Sequence, residues 1–477
     1  MNPIAERDVN SEGPGLKNWA QAFDTLWRQP KSRLRLARVL ASFLRRHYFR
    51  SPYPPMILWE PKTLHEVQEA WTDLAEKRRA QGNGDPVGLY IHVPFCETKC
   101  LFCNCMSVTN TRQESHDLYL DCLEKEVALL AFPRSMPIDT VYFGGGTPTL
   151  LSPARLRRLI RMLDQHFDLT GCHEKTIELS PFSISEETVR ILRDWGVTRV
   201  TVGIQTMDQE LLERFMRPQT PESVTRLYHW LRTYGIPQIH FDLLAGLPGQ
   251  SMESFRESLD FCVRLRPDSM SVYPFAYINK TPYRLAGGKY GASDVACRED
   301  MMRVAREVLG GLYPVDGSFS VQNENSGQRV DRDHKNGSIV GLGYSARSYA
   351  RDRLSYTKVN DFGRYLRALQ AGEYPELRGW NLSPREGMRA YVVDRLEMAG
   401  QISMGEFLRL YGRELRDVFS EEIHLAIGHG LLKEGNGILQ IPEDPQNHET
   451  YALTCGKLFF SREVLLSAWK LFLKERL

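Results

Sequence analysis

The chain has 477 residues, with 61 Lys and Arg against 59 Asp and Glu (formal net charge +2), 42% hydrophobic residues and 25% charged residues. At roughly 100 to 200 residues per domain this length allows two to four domains, and the composition lies near the globular average of about 45% apolar and 25% charged, which excludes a miniprotein and wholesale disorder. The balanced charge excludes a global field pointing to nucleic acid or a membrane surface as the main partner.

No run of about 18 apolar residues occurs, and the opening MNPIAERDVNSEGPG lacks the apolar core of a signal peptide. The expectation is a cytoplasmic chain without a transmembrane segment. In chain order, residues 1–85 form an N-terminal helical arm with the turn-rich SPYPP at Ser51–Pro55, closing in the polar linker RAQGNGDP. Within it, Leu34, Ala37, Leu40, Ala41 and Leu44 recur at helical spacing with Arg on the other face. This is either a helix packed on the body or a membrane-surface helix.

From Gly88 short β-rich runs alternate with helical stretches. Strands are predicted at 88–93, 139–143, 175–179, 198–202, 238–243 and 269–275, and helices near 115–131, 153–166, 185–195, 221–234 and 251–265. Repeated βα units require a parallel sheet with right-handed crossovers. The fold class is therefore α/β, a parallel sheet of βα units closing fully or partly into a barrel, and its chemistry belongs at the C-terminal ends of the strands. Residues 86–290 make the barrel and 291–378 a less regular extension covering the substrate. Residues 379–477, with the short strand GILQI, form a small winged-helix-like C-terminal domain.

The unusual residues fall at the predicted strand ends. Cys96 follows the first strand, Gly144–Pro148 (GGGTP) the second, Glu178 and Pro181 close the third, Gln205 follows the fourth and Asp242 ends the fifth. Four of nine cysteines crowd into ten residues, which in a cytosolic protein argues for metal rather than disulfides. Cys96, Cys100 and Cys103 are spaced C-x3-C-x2-C, suited to a loop wrapped around one compact object. Soft thiolates select zinc, copper(I) or an iron–sulfur cluster. Three of them leave one iron of a 4Fe-4S cube open, Cys105 would close it as a fourth ligand, and a structural zinc loop is the remaining alternative.

The run Tyr90-Ile-His-Val-Pro-Phe-Cys96-x3-Cys100-x-Phe102-Cys103-x-Cys105 is followed by Phe143-Gly-Gly-Gly-Thr-Pro148, Glu178-x-x-Pro181 and Asp242-Leu-Leu-x-Gly-Leu-Pro248. This order resembles the radical S-adenosylmethionine superfamily, in the branch typified by oxygen-independent coproporphyrinogen III dehydrogenase, which also includes methyltransferases. The resemblance implies a partial (βα)6 TIM-type barrel and a 4Fe-4S cluster held by Cys96, Cys100 and Cys103, with S-adenosylmethionine on the open iron and cleaved to methionine and a 5'-deoxyadenosyl radical. It further implies that Tyr90 and the backbone near Phe102 contact that cofactor and that Gly145, Gly146 and Thr147 bind its amino group, the glycines allowing close approach. Glu178 would bind one S-adenosylmethionine. Gln205, Arg217 and Asp242 match contacts to it, the Arg suiting a carboxylate, and Ala276 lines a second S-adenosylmethionine site, as the branch holds two.

Three departures bear on the substrate. The branch's decarboxylating members have Gln-Asp-Phe, Tyr-Ala-His and Asp-His-Phe-Ala where this chain has Gln205-Thr206-Met207, Phe275-Ala276-Tyr277 and Gly317-Ser318-Phe319-Ser320. On that ground the expected reaction is methyl or methylene transfer to an unactivated carbon of a small molecule. Oxidative decarboxylation of coproporphyrinogen III and a heme chaperone are the alternatives. The implied partners are a small-molecule substrate and an electron donor such as flavodoxin or ferredoxin, with no nucleic acid, and the chain is expected to act as a monomer.

Overall fold

The computed structural model describes residues 53–81, 85–109, 112–278, 281–313, 337–442 and 448–474, together with 23, 29, 32, 33, 35–39 and 41. The chain divides into two compact units, Glu60–Pro384 and a second formed by Met1–Trp59 with Arg385–Leu477. The segment Glu60–Gln81, grouped with the arm from sequence, thus belongs to the larger unit.

The larger unit opens with β1 (Glu60–Lys62) and α1 (Leu64–Gln81), then alternates as predicted. β2 (Val87–Val93) leads through the short β3 (Phe95–Cys96) and β4 (Val108–Thr109) to α2 (Gln113–Leu130). There follow β5 (Thr140–Gly145), α3 (Pro153–His166), β6 (Glu174–Leu179), α4 (Glu186–Asp194) and β7 (Arg199–Gln205). After α5 (Gln209–Arg214) and α6 (Pro221–Thr233) come β8 (Gln238–Ala245), α7 (Met252–Leu265), β9 (Ser269–Pro274), α8 (Pro282–Leu285) and α9 (Ala292–Gly310). Local chemistry starts the helices where they start. Pro153 and Pro221 occupy first-turn positions, and Ser185, Thr220 and Ser251 each accept a backbone N–H of the first turn.

These six strands run parallel in the order β2-β5-β6-β7-β8-β9, with β9 ending the sheet on one side. The glycine-rich 337–350 segment, read as irregular, supplies β10 (Ser338–Leu342), a seventh parallel strand against β2, and β11 (Arg347–Ala350), which turns back on it. Gly341 permits that turn, since a Cβ there would lie 2.3 Å from the Arg347 carbonyl. β12 (Leu354–Lys358), α10 (Phe362–Gln370), β13 (Leu377–Asn381) and β1 complete the sheet, whose far strands pair antiparallel.

Pleating sorts the parallel strands into two faces. Leu89, Ile91, Val141, Phe143, Ile177, Val200, Val202, Ile239 and Phe241 are buried in the main hydrophobic core. The intervening Tyr90, Tyr142, Thr176, Glu178, Thr201, His240 and Asp242 share the opposite, concave face, as the registers Tyr90↔Tyr142↔Thr176 and Glu178↔Thr201↔His240 require. A buried ion pair, Lys358 Nζ to Glu126 Oε1 at 2.9 Å, both 0% exposed, ties β12 to α2. Glu126 also accepts from the Gly343 N–H and Tyr365 Oη.

The smaller unit runs α11 (Pro384–Met398), β14 (Gln401–Ser403), α12 (Met404–Tyr411), α13 (Leu415–Val418), α14 (Ser420–Gly428) and the hairpin β15 (Lys433–Gly435) and β16 (Ile438–Gln440). One helix, a strand, three helices and a hairpin follow in order, and the strands pair as β14-β16-β15. Arg33 of the N-terminal segment pairs with Glu421 at 3.0 Å, and Ala37 and Ala41 are buried. Leu34, Leu40 and Leu44 lie outside the described residues. Among the described residues no helix is long and apolar enough to cross a membrane.

Candidate active site

The cysteine loop leaves β2 at Pro94 and is clamped from two sides. Leu101 N–H donates to the Phe215 carbonyl at 3.3 Å, the Leu101 carbonyl accepts from Tyr283 N–H at 2.8 Å, and Thr98 Oγ1 donates to the Met216 carbonyl at 2.9 Å. Phe102 turns its ring into the cluster of Leu211, Phe215, Leu247, Phe275 and Tyr283 beneath, so it anchors the loop with its side chain. Cys96, Cys100 and Cys103 are partly exposed and Cys105 is exposed.

Each of the three thiols has a specific neighbour. Cys96 Sγ lies 3.9 Å from Thr147 Oγ1, Arg217 Nη1 donates to Cys100 Sγ at 3.7 Å, and the Cys105 backbone N–H donates to Cys103 Sγ at 3.4 Å. Hydrogen bonding from Cys105, helped by the Lys99 and Arg217 charges, pulls the Cys103 thiol down to about 6, whereas burial pushes Cys96 up. The donor set fits an iron–sulfur cluster: three thiols from one loop, with cations beside them to offset the negative charge that thiolate ligation brings. Hydrogen bonds to such sulfurs also tune a cluster's potential.

The glycine turn after β5 is pressed against the root of this loop. Gly146 N–H donates to Val93 O at 2.8 Å and Thr147 N–H to Phe95 O at 2.7 Å. A Cβ on Gly146 would sit 2.5 Å from the Phe95 carbonyl, and Gly145 has φ +116° with His92 2.8 Å from its would-be Cβ. The glycines are thus required by the protein's own packing, which brings Thr147 to Cys96. Next to them, Glu178 on β6 accepts from Tyr142 Oη at 2.8 Å and from the Gly145 N–H, and burial raises its carboxyl to about 7. Tyr90 is stacked at 6.1 Å on Tyr142, and its Oη meets His92 Nδ1 at 3.1 Å. Burial lowers His92 to about 4, so its imidazole is neutral, with Nε2 on the Met106 carbonyl at 2.7 Å.

Arg217 ties the loop to the barrel. Besides Cys100 it donates to the Gly203 carbonyl and to Ser180 Oγ, holds Gln219 at 3.1 Å, and lies over the Phe182 ring. Gln205 ends β7 at φ +68°, beside a register shift between Gly203 and Gln205. A Cβ at Gly203 would lie 2.8 Å from Gln205 Nε2 and 3.4 Å from Arg217 Nη2, so a side chain there would displace the Gln205 amide. Asp242, on the same face of β8, accepts from or faces His240 Nε2 at 3.2 Å, and its charge contributes to the rise at Glu178. Ala276 sits in the turn after β9, where its carbonyl accepts from Ile278 N–H.

Thr147, Glu178, Gln205, Arg217 and Asp242 therefore gather with the thiols at the C-terminal ends of β2 and β5–β8. Sequence reasoning missed Tyr142, His92, Ser180 and Gly203. For Tyr142 the signal was present, since its spacing of two from Gly144 puts both on one face of β5. Two substrate departures lie elsewhere. Thr206 is 1% exposed with its Oγ1 on Ser258, Met207 N–H donates to Ser258 Oγ, and Phe275 is 1% exposed in the aromatic cluster. Gly317–Ser320 lies outside the described residues.

A thiol loop and a glycine turn at the mouth of a parallel partial barrel define a radical S-adenosylmethionine enzyme, and the sequence model of the Radical SAM superfamily matches residues 90–262. The chain is 34% identical over 360 residues to the oxygen-independent coproporphyrinogen III oxidase of Helicobacter pylori, covering 72% of this chain and 78% of that one. It is 28% identical over 404 residues to the enzyme of that name from Pseudomonas aeruginosa, 80% and 86% of the two chains. The solved structure of coproporphyrinogen III oxidase from Escherichia coli shares the fold, with TM-score 0.72 over 87% of this chain and 97% of that one at 22% identity. The chain belongs to this oxygen-independent coproporphyrinogen III oxidase family of radical S-adenosylmethionine enzymes.

Proposed function

We propose that this enzyme oxidises a propionate side chain of coproporphyrinogen III, the substrate for which its relatives are named. The observation that carries this reading is the placement of the departures. Thr206 and Phe275 are packed into the protein, Met207 packs against the main core and Tyr277 Oη donates to the Gly288 carbonyl, so these positions do not speak for a different substrate. The preference for methyl transfer rested on them together with Gly317–Ser320, which lies outside the described residues.

In this reading Cys96, Cys100 and Cys103 hold a 4Fe-4S cluster. When bound, the cluster and S-adenosylmethionine supply a 5'-deoxyadenosyl radical able to take a hydrogen atom from an unactivated carbon. The backbone of the Gly145–Gly146 turn and the Glu178 carboxylate would bind the cofactor's ammonium, with Thr147, Tyr90 and the backbone at Phe102 beside it. Arg217 would present its guanidinium to a carboxylate. Gln205 and Asp242 would accept from ribose hydroxyls, and with Ala276 they would line a second S-adenosylmethionine. A propionate arm, –CH2–CH2–COO⁻, becomes vinyl, –CH=CH2, and carbon dioxide, giving up one hydrogen atom and one electron, the latter to a one-electron acceptor. The cluster of Phe102, Phe215 and Tyr283 beneath the loop excludes water from that side of the chemistry.

The test is anaerobic incubation of the reconstituted protein with dithionite, S-adenosylmethionine, coproporphyrinogen III and an electron acceptor. Vinyl product with carbon dioxide and 5'-deoxyadenosine is expected. S-adenosylhomocysteine with a substrate gaining carbon would establish methyl transfer instead. Tight stoichiometric heme binding with no cofactor cleavage would establish the chaperone.

A further inference from the structure

Asp242 is backed by a second residue of its own strand. His240 stands two positions earlier on β8, on the same concave face, and is 1% exposed. Its Nδ1 lies 2.6 Å from Ser269 Oγ, and its Nε2 lies 3.0 Å from Ser271 Oγ and 3.2 Å from Asp242 Oδ1. The pairing of β8 with β9 makes this arrangement, since His240 stands opposite Ser269 and Asp242 opposite Ser271. Burial lowers the His240 pKa, and the Arg199 charge on β7 adds to the fall against the pull of Asp242, so the ring is neutral. A neutral imidazole carries one N–H, and a carboxylate can only accept. Asp242 therefore selects the tautomer with the proton on Nε2, and Nδ1 accepts from the Ser269 hydroxyl. Two serines would be enough to satisfy a buried imidazole. The contact that packing does not require is the one to Asp242, whose side chain is 20% exposed and hydrogen-bonds to no other group among the described residues.

We propose that His240 is a positioning residue for S-adenosylmethionine: its Nε2–H holds the Asp242 carboxylate in one rotamer, leaving Oδ2 to accept from a ribose hydroxyl. The inference rests on reading Asp242 as a ribose contact. His240 itself is buried and acts only through Asp242. A carboxylate fixed before the ligand arrives gives up less rotamer freedom on binding, so the complex is tighter. A bond to ribose made alike in the ground and transition states lowers KM without raising kcat. The loss on removing the Nε2 donor therefore belongs to cofactor affinity.

The experiment uses reconstituted holoenzyme of the wild type, His240→Phe, His240→Gln, Asp242→Ala and the double variant carrying His240→Phe and Asp242→Ala, with iron content and melting temperature measured first. Phe keeps a ring without a donor, and Gln reaches Asp242 with an amide N–H. His240→Leu, also without a donor, takes the place of His240→Phe if that variant does not fold. S-adenosylmethionine affinity is read by equilibrium dialysis against the oxidised cluster, and kcat and KM by 5'-deoxyadenosine formed with dithionite. In His240→Phe, Kd and KM are expected to rise about tenfold with kcat per cluster within about twofold, and His240→Gln to return both to within about threefold of wild type. On the Asp242→Ala background His240→Phe should add less than about twofold. Wild-type affinity in His240→Phe, a Gln variant as weak as Phe, a fall in kcat with KM unchanged, or the full loss repeated on the Asp242→Ala background would each overturn the proposal. Wild-type affinity in Asp242→Ala would sink the ribose reading and the proposal with it, and it shows without any His240 variant.

Discussion

Replacing Glu178 by Gln tests whether the concave face is organised for binding a cationic group rather than for stability. Burial raises the Glu178 carboxyl from 4.5 to about 7. The folded state therefore binds this proton more tightly than the unfolded state. Stability from the group is complete below about 4.5 and falls as the pH climbs towards about 7. A rise of that size corresponds to about 3 kcal/mol, and partial contact with solvent reduces it to about 2 kcal/mol. Gln still accepts from Tyr142 but presents an amide to the Gly145 N–H, which costs about 1 kcal/mol at all pH values. Glu178→Gln is thus expected to be less stable than wild type at pH 4 to 5 and more stable by about 1 kcal/mol at pH 8, with the difference in melting temperature moving by roughly 3 °C between the two. Thermal unfolding of the cluster-free protein at both pH values reads this, and S-adenosylmethionine binding by the variant should be lost. A stability difference that does not change with pH, or that grows more unfavourable as pH rises, would refute the reasoning.

Gly146→Ala places a Cβ where the Phe95 carbonyl stands, so the cysteine loop must move; iron incorporated per chain should fall by about half or more, with a loss of stability of about 2 kcal/mol. Lys358→Met leaves Glu126 buried without its cation and should cost about 3 to 5 kcal/mol in denaturant unfolding, most of it recovered by adding Glu126→Gln. Arg217→Met removes the donor to Cys100 and to Gly203. It should retain iron yet lower the rate of 5'-deoxyadenosine formation about a hundredfold, a loss of about 2.7 kcal/mol. Cys105→Ser keeps the backbone donor to Cys103 and should leave iron content and rate within about twofold.

The barrel was legible because its signals are local. Apolar alternation marks β2 and β5–β9, and Ser185, Thr220 and Ser251 start helices by bonding their own first turns. The added strands were not, because β10 carries Gly341 for a reason visible only when Arg347 is folded against it, and β1 finds its partner β13 across most of the unit's sequence. The site divides in the same way. The thiols, the glycine turn, Glu178 and Asp242 stand in compact motifs. Tyr142, Ser180 and Gly203 act through neighbours brought by other strands, and Thr206, one of the departures from the family pattern, points into packing. Departure from a family pattern carries functional meaning only where the side chain faces the site, and a sequence does not display that direction at a bend such as the left-handed Gln205.

The central claim, that the Cys96–Cys103 loop carries a cluster which cleaves S-adenosylmethionine, is tested most directly by measuring iron content and 5'-deoxyadenosine in anaerobically reconstituted wild type and in Cys96→Ala, Cys100→Ala and Cys103→Ala, with dithionite as reductant. Near-stoichiometric cluster and 5'-deoxyadenosine in wild type, with the product abolished in every variant, is the result predicted. An intact wild-type cluster that yields no 5'-deoxyadenosine, or product that survives loss of any one of the three thiols, would contradict it.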